Sequence, residues 1–289
     1  MSTAEFSLAT DRSIEWKSAA PYVLTGLAFL LLFWTPLEML GRDWWNDPDA
    51  GHGLLLAPVA VYLAWKRGLI ATTTPRPKLG LSLLAAAVLL RWLSGVAVEW
   101  FTMRVSMLAA LVALAICWYG IRQVVHWWLP LVLLLLSIPL PAVVLGSIAT
   151  PLQFKASQMG AALLEWRHVE VFLAGNVIHL PGRSLFVTEA CSGLRSLAAL
   201  LSLGVLIGGL WLKLPISRLL LVLLTIPVAM LLNGIRVFLT GFLVYYVDPA
   251  LGEGFMHVTE GWIIFVVAFA ILGAFAWLLD RAERIWRPA

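Results

Sequence analysis

The stretch Leu219–Leu239, LLLVLLTIPVAMLLNGIRVFL, decides the fold class. It holds a single charge, Arg236, and is otherwise almost wholly apolar. A bilayer hydrocarbon core of about 30 Å is crossed by roughly 20 apolar residues in a helix rising about 1.5 Å per residue. Leu219–Leu239 has that length. Working outward, seven more stretches read the same way: Pro21–Leu40, Leu54–Ile70, Leu79–Val98, Val105–Gly120, Trp127–Thr150, Ser192–Leu212 and His257–Leu279. None alternates as a barrel strand does, and backbone inside lipid must satisfy its own hydrogen bonds, so helices are expected.

The composition agrees. Hydrophobic residues make up 61% of the 289, charged residues 12%, and the mean hydropathy is +0.92. Soluble domains carry about 25% charged residues. Such a chain cannot cover a water-facing surface, which excludes soluble enzymes, secreted disulfide scaffolds and nucleic-acid binders. The net charge of +4 and pI near 9.3 follow from membrane topology. Counting Lys and Arg in the connecting segments gives 12 on one side against 5 on the other, with Arg91, Arg195 and Arg236 inside spans. The positive-inside rule places the richer side, and both termini, in the cytoplasm. The polar, mixed-charge Met1–Lys17 does not read as a cleavable signal peptide.

The expected organisation is a cytoplasmic N-terminus (1–20), five spans (21–150), an extracytoplasmic insert (151–190), three further spans (191–279) and a cytoplasmic tail (280–289). The fold class is all-α polytopic membrane protein, with about eight transmembrane helices and a small insert. Within the insert, Pro151–Trp166 reads as an amphipathic helix lying along the membrane surface. Val169–Leu173, Val177–Leu180 and Leu185–Val187 read as strands of a β-meander, with Gly175-Asn176 and Pro181-Gly182 as its turns.

Polar residues gather at the outer ends of three spans. Cys191 lies where the insert becomes the sixth span, in Thr188-Glu-Ala-Cys-Ser-Gly-Leu-Arg-Ser196. A helix N-terminus carries about half a positive charge, and Arg195 stands four residues on; both favour the thiolate, the nucleophilic form. Glu189 and Ser192 flank the cysteine as support or substrate-binding candidates. In the seventh span Asn233, Arg236 and Thr240 share one helical face, and an Arg there costs roughly 2.5–3.5 kcal/mol unless it faces protein or water. His257 opens the eighth span. A thiol, a cation and an imidazole are the parts acyl transfer requires. Gly51-His52-Gly53 with Pro58 begins the second span, and there a structural or substrate-gating role ranks ahead of metal binding, despite nearby Asp43, Asp47 and Asp49. Arg91 reads as structural, pairing with Glu38 or Glu99, and Cys117 as core packing. No metal or cofactor is called for.

At these residues the chain resembles the exosortase family of multi-spanning membrane cysteine enzymes, over about His52 to Trp262. Gly-His-Gly with Pro58, Gly175-Asn-Val-Ile-His-Leu-Pro181, Glu189-Ala-Cys-Ser-Gly-Leu-Arg195, Asn233-Gly-Ile-Arg-Val237 and His257 carry the resemblance. It implies Cys191, Arg236 and His257 as catalytic residues. It also implies membrane-anchored substrates ending in a Pro-Glu-Pro-like motif, a transmembrane helix and a basic tail, cleaved at the outer face of the bacterial inner membrane in exopolysaccharide-producing cells. Exopolysaccharide-assembly proteins are then possible partners, beside the substrates and the bilayer. The alternative is a polysaccharide transporter or flippase subunit, which predicts polar residues at mid-depth in several spans rather than at their outer ends.

Overall fold

The computed structural model describes residues 16–47, 49–187, 194–248 and 254–286. Apolar side chains cover its outside: Leu31 is 81% exposed, Leu55 74% and Ile285 77%. Faces of that kind on so many helices have lipid as their solvent.

Trp16–Leu32 (α1) and Trp34–Asn46 (α2) bend by 66° at Phe33, which is fully buried. Gly53–Arg67 (α3) returns, and Pro77–Val96 (α4) and Trp100–Tyr119 (α5) form a tight hairpin. Glu99 caps α5, its carboxylate accepting from the backbone N–H groups of Phe101 and Thr102. The short Ile121–His126 (α6) leads into Trp128–Leu136 (α7). After a break comes Ala142–Trp166 (α8), then the three-stranded antiparallel sheet Phe172–Ala174 (β1), Val177–Leu180 (β2) and Arg183–Phe186 (β3). Leu194–Trp211 (α9), Pro215–Tyr246 (α10) and Gly254–Trp286 (α11) complete the chain.

Among the described residues four helical stretches are long and apolar enough to cross a membrane singly: Pro77–Val96, Trp100–Tyr119, Pro215–Tyr246 and Ile263–Ile285. The bent α1–α2 pair makes a fifth. Among the described residues the count of such stretches is thus four or five, where eight are expected. The second apolar stretch gives an α3 of only 15 residues. The fifth is cut after Leu136, because Pro139 and Pro141 lack the N–H groups a helix needs and bar the helical conformation to the residues before them.

The proposed surface helix also takes another form. Residues 151–166 continue α8 without interruption, and α8 packs along α10 rather than lying apart on the membrane. Its Gly160 meets Val237, Met159 meets Gly234, and Leu164 meets Gly241. These contacts ascend both helices in step, so α8 and α10 run parallel. The three-stranded meander forms with its middle strand and its turns as expected, the turns at Gly175 (φ 65°) and Gly182 (φ 81°), where a left-handed backbone suits glycine. The first strand is Phe172–Ala174 rather than Val169–Leu173, and the third Arg183–Phe186 rather than Leu185–Val187. It rests on protein: Ile178, Leu180 and Val187 share a core with Ala156 and Leu164 of α8 and Val237 and Val244 of α10.

The other end of the bundle collects basic residues and is closed by hydrogen bonds. Buried Gln123 accepts from the N–H of Ile70 and donates to the carbonyl of Gly68. Glu283 of α11, buried as well, accepts from the N–H groups of Lys213 and Leu214 and so holds the α9–α10 turn. Arg91 pairs with neither expected acid: Glu38 bonds Arg42, one turn along α2, and Glu99 is occupied as the α5 cap.

Candidate active site

The Asn233-Gly-Ile-Arg236 motif lies on the sheet-end half of α10. Gly234 decides how that half sits. A Cβ there would stand 2.8 Å from Met159 Cβ, so the glycine is what allows α8 to approach so closely. With Gly234, Val237 and Gly241 turned toward α8, the helical period sends Asn233 and Arg236 toward the remaining neighbours.

Two small cavities show where they go. Asn233 lines one of about 10 Å³ with Leu152, Lys155 and Ala156 of α8 and Leu197 of α9. Asn233 and Arg236 together line a second, of about 20 Å³, with Leu200 of α9 and Ile264, Phe265 and Ala268 of α11. The second is large enough for one water and far too small for a peptide. Asn233 is 5% exposed and Thr240 3%; the Thr240 hydroxyl donates to the Arg236 carbonyl at 3.0 Å. A polar face on a lipid-crossing helix is thus turned toward the α8–α9–α10–α11 cluster, with Asn233 and Thr240 buried and Arg236 half-buried, as suits an intramembrane cation.

Cys191, Glu189 and Ser192 lie outside the described residues. Arg195 belongs to the first turn of α9 and His257 to the first turn of α11, as backbone positions. Both helices therefore start on the side of the cluster toward which α10 carries Arg236. The levels differ, however. Arg236 shares its cavity with Ile264, and the helical rise sets the His257 backbone about 10 Å further toward the start of α11.

His52 stands elsewhere. Its Nδ1 lies 3.1 Å from the Asp49 carbonyl and its Nε2 3.2 Å from the Leu136 carbonyl, so the ring ties the α2–α3 turn to the end of α7. The Trp44 ring crosses Gly53 where no Cβ fits, and its Nε1 donates to the Ser137 carbonyl at 2.8 Å. The nearby acids have partners too: Asp43 pairs with buried Arg104, and Asp47 accepts from the Asp49 N–H. Lys155 is the residue the sequence reading passed over. It is one of the five Lys and Arg on the less basic side, and nothing in its spacing marks it as a neighbour of Asn233.

The sequence model of one protein family, described as transmembrane exosortase, matches residues 44–274. No curated protein and no solved structure shows a significant match. The family match spans the α2–α3 turn, the sheet, the α10 motif and most of α11, and on it the chain belongs to the transmembrane exosortase family.

Proposed function

We propose that this chain is a membrane cysteine transpeptidase or protease that cleaves C-terminal sorting signals from membrane-anchored proteins. The observation that carries the reading is the cavity where Arg236 and Asn233 of α10 meet α9, the helix that follows Cys191 in sequence, and α11, whose first turn holds His257. In this mechanism the Cys191 thiolate attacks the scissile carbonyl, and the Arg236 guanidinium stabilises the oxyanion that forms. The C–N bond then breaks, leaving a Cys191 thioester, and His257 gives its proton to the departing amine. Water or an acceptor amine resolves the thioester, yielding hydrolysis or transpeptidation. Arg195 sustains the thiolate, Glu189, Ser192 and Asn233 act as supporting groups, and His52 supports the fold at a distance by holding the α2–α3 turn to the end of α7.

The substrate segment in this reading enters from the sheet end, since the cavity beside Arg236 holds no more than a water. The family resemblance points to a Pro-Glu-Pro-like motif followed by one helix and a basic tail, to the outer face of the inner membrane, and to exopolysaccharide-producing cells. The test is to trap the acyl-enzyme. A purified sample given a substrate with that C-terminal arrangement should yield a covalent adduct mapped to Cys191 by mass spectrometry and released by hydroxylamine. Cys191→Ala should yield none and should leave the substrate uncut. Full processing by Cys191→Ala would sink the nucleophile assignment.

A further inference from the structure

At the basic end of the bundle two arginines stand close to the ring of Trp128 of α7. The guanidinium carbon of Arg218 lies 5.0 Å from the indole centroid and that of Arg67 5.8 Å. Both side chains are half-buried, and both are fixed by backbone carbonyls: Arg218 Nε donates to Leu212 at 2.9 Å and Arg67 Nη1 to His126 at 2.7 Å. Each uses one nitrogen in this way, and among the described residues no other acceptor and no carboxylate lies within bonding distance of either. The two positive charges repel each other. A guanidinium is a rigid fork of five donors, so several donors on each remain for a ligand.

Beside them opens a cavity of about 370 Å³, lined by Trp128, Val205, Pro215, Arg218, Leu219 and Val222. Its walls come from α7, α9 and α10 and are apolar except for Arg218. It is thus an apolar groove with one cation, Arg218, in its lining and a second, Arg67, beside the Trp128 ring that forms part of its wall. The positive-inside count puts this end of the bundle at the cytoplasmic headgroup level, where Arg and Lys meet anionic lipids.

We propose that this groove binds one anionic phospholipid of the cytoplasmic leaflet, its phosphate held by Arg218 and Arg67 and one acyl chain lying along Val205, Leu219 and Val222. Planar forks of donors suit phosphate oxygens, and Trp128, between lipid tail and headgroup, has the amphipathic character of an interfacial residue. A lipid seated here bridges α7, α9 and α10, at the turn that Glu283 of α11 also holds. Free phosphate would satisfy the cations and leave the apolar walls bare, which is why the occupant is a lipid. The proposal stands apart from the cysteine chemistry, and its test reads binding alone.

The experiment is native mass spectrometry of the detergent-solubilised protein titrated with phosphatidylglycerol and, separately, phosphatidylcholine of the same chains. One phosphatidylglycerol should be retained at least about tenfold more tightly than phosphatidylcholine. Arg67→Gln and Arg218→Gln should each remove most of that preference, and Arg218→Lys should keep part of it. Val222→Trp, which fills the groove and leaves both guanidinium groups intact, should also weaken retention, and it decides the matter should the arginine variants fail to fold. Inorganic phosphate at millimolar concentration should not displace the lipid. Equal retention of the two lipids, preference unchanged in Val222→Trp, or displacement by phosphate would each overturn the proposal.

Discussion

Arg236 sits at the level of Leu200 and Ile264, while the first turns of α9 and α11 lie further toward the sheet end. Its reach therefore matters as much as its charge. Arg236→Lys keeps a cation on a long stem, so insertion and folding should persist. An ammonium is a point donor that cannot reproduce the planar fork, and removing a donor at a developing oxyanion typically costs about 10²-fold in rate. A cleavage assay should show a loss of that order with the substrate's apparent affinity little changed, and a wild-type rate would remove Arg236 from the chemistry. A second residue-scale prediction concerns Glu99. Hydrogen bonding from Thr102, first through its side chain, holds the Glu99 carboxyl below the usual carboxylate range, helped by the Phe101 N–H and the Arg104 charge and opposed by desolvation. The ionised form is thus favoured in the folded chain, so the cap's contribution is complete above the ordinary carboxylate pKa. It fades as pH falls through the lowered value. Glu99→Gln should lower thermal stability at neutral pH by below about 1 kcal/mol, the carboxylate being largely solvated. The difference should close in strongly acidic buffer; a gap that widens there would contradict the assignment.

Among elements, the α8–α10 seam carries the most consequence. Gly234→Ala puts a methyl group 2.8 Å from Met159 Cβ, which is not a flexible end that can swing aside. The helices must part, at a cost typical of overpacking, about 1–3 kcal/mol, and the Asn233–Arg236 face must turn or shift. The melting temperature and the cleavage rate should both fall, and Met159→Ala should not rescue them, because its Cβ remains. Rescue by Met159→Ala would mean that the outer atoms of the side chain set the spacing. This seam was invisible in the sequence, since a glycine in an apolar run does not name its neighbour. The sheet, by contrast, was legible in its turns and its middle strand, because two-residue turns need left-handed backbone and Gly175 and Gly182 announce it. The outer strands differ from the expected bounds by one to three residues. The sixth apolar stretch was legible as a helix: it reads as Ser192–Leu212, and α9 is Leu194–Trp211, in which the apolar part Leu197–Trp211 is shorter than the helices long enough to cross a membrane singly. The fifth was misread because a hydropathy window sums over Pro139 and Pro141, which contribute little to the sum and everything to the break. The surface helix failed for a related reason. An amphipathic pattern reports that one face is buried, without saying whether lipid or α10 buries it. For the site, the polar face of the seventh span was readable, because burial of an Arg in lipid leaves few alternatives. The company it keeps, Lys155 above all, depended on packing that no spacing rule encodes.

On the scale of the whole molecule the two ends of the bundle are chemically unlike, and this makes orientation testable together with the nucleophile. α10 has 32 residues, about 48 Å of helix against a hydrocarbon core of about 30 Å. Tilt takes up part of the difference. The remainder carries the sheet end past the core, where α8 and the sheet pack on it. Cys191 follows the sheet directly in sequence. Cys117 lies at the opposite end, near the close of α5, where the backbone of Gly80 in α4 packs so tightly against it that a Cβ on Gly80 would stand 2.6 Å from Cys117 Cα. The positive-inside count then predicts opposite sides of the membrane for the two thiols. In cells with a permeabilised outer membrane, a membrane-impermeant maleimide should label Cys191 alone. The signal should survive Cys117→Ala and vanish with Cys191→Ala. It should also slow when Arg195 is neutralised, because the thiolate fraction falls. A small charged methanethiosulfonate run in parallel covers the case of a narrow entrance. Labelling of Cys117 from outside, with Cys191 reached only after the inner membrane is opened, would invert the orientation. The basic residues around Trp128 would then face the wrong leaflet for the charge rule, and extracytoplasmic cleavage by Cys191 would fall with the same measurement.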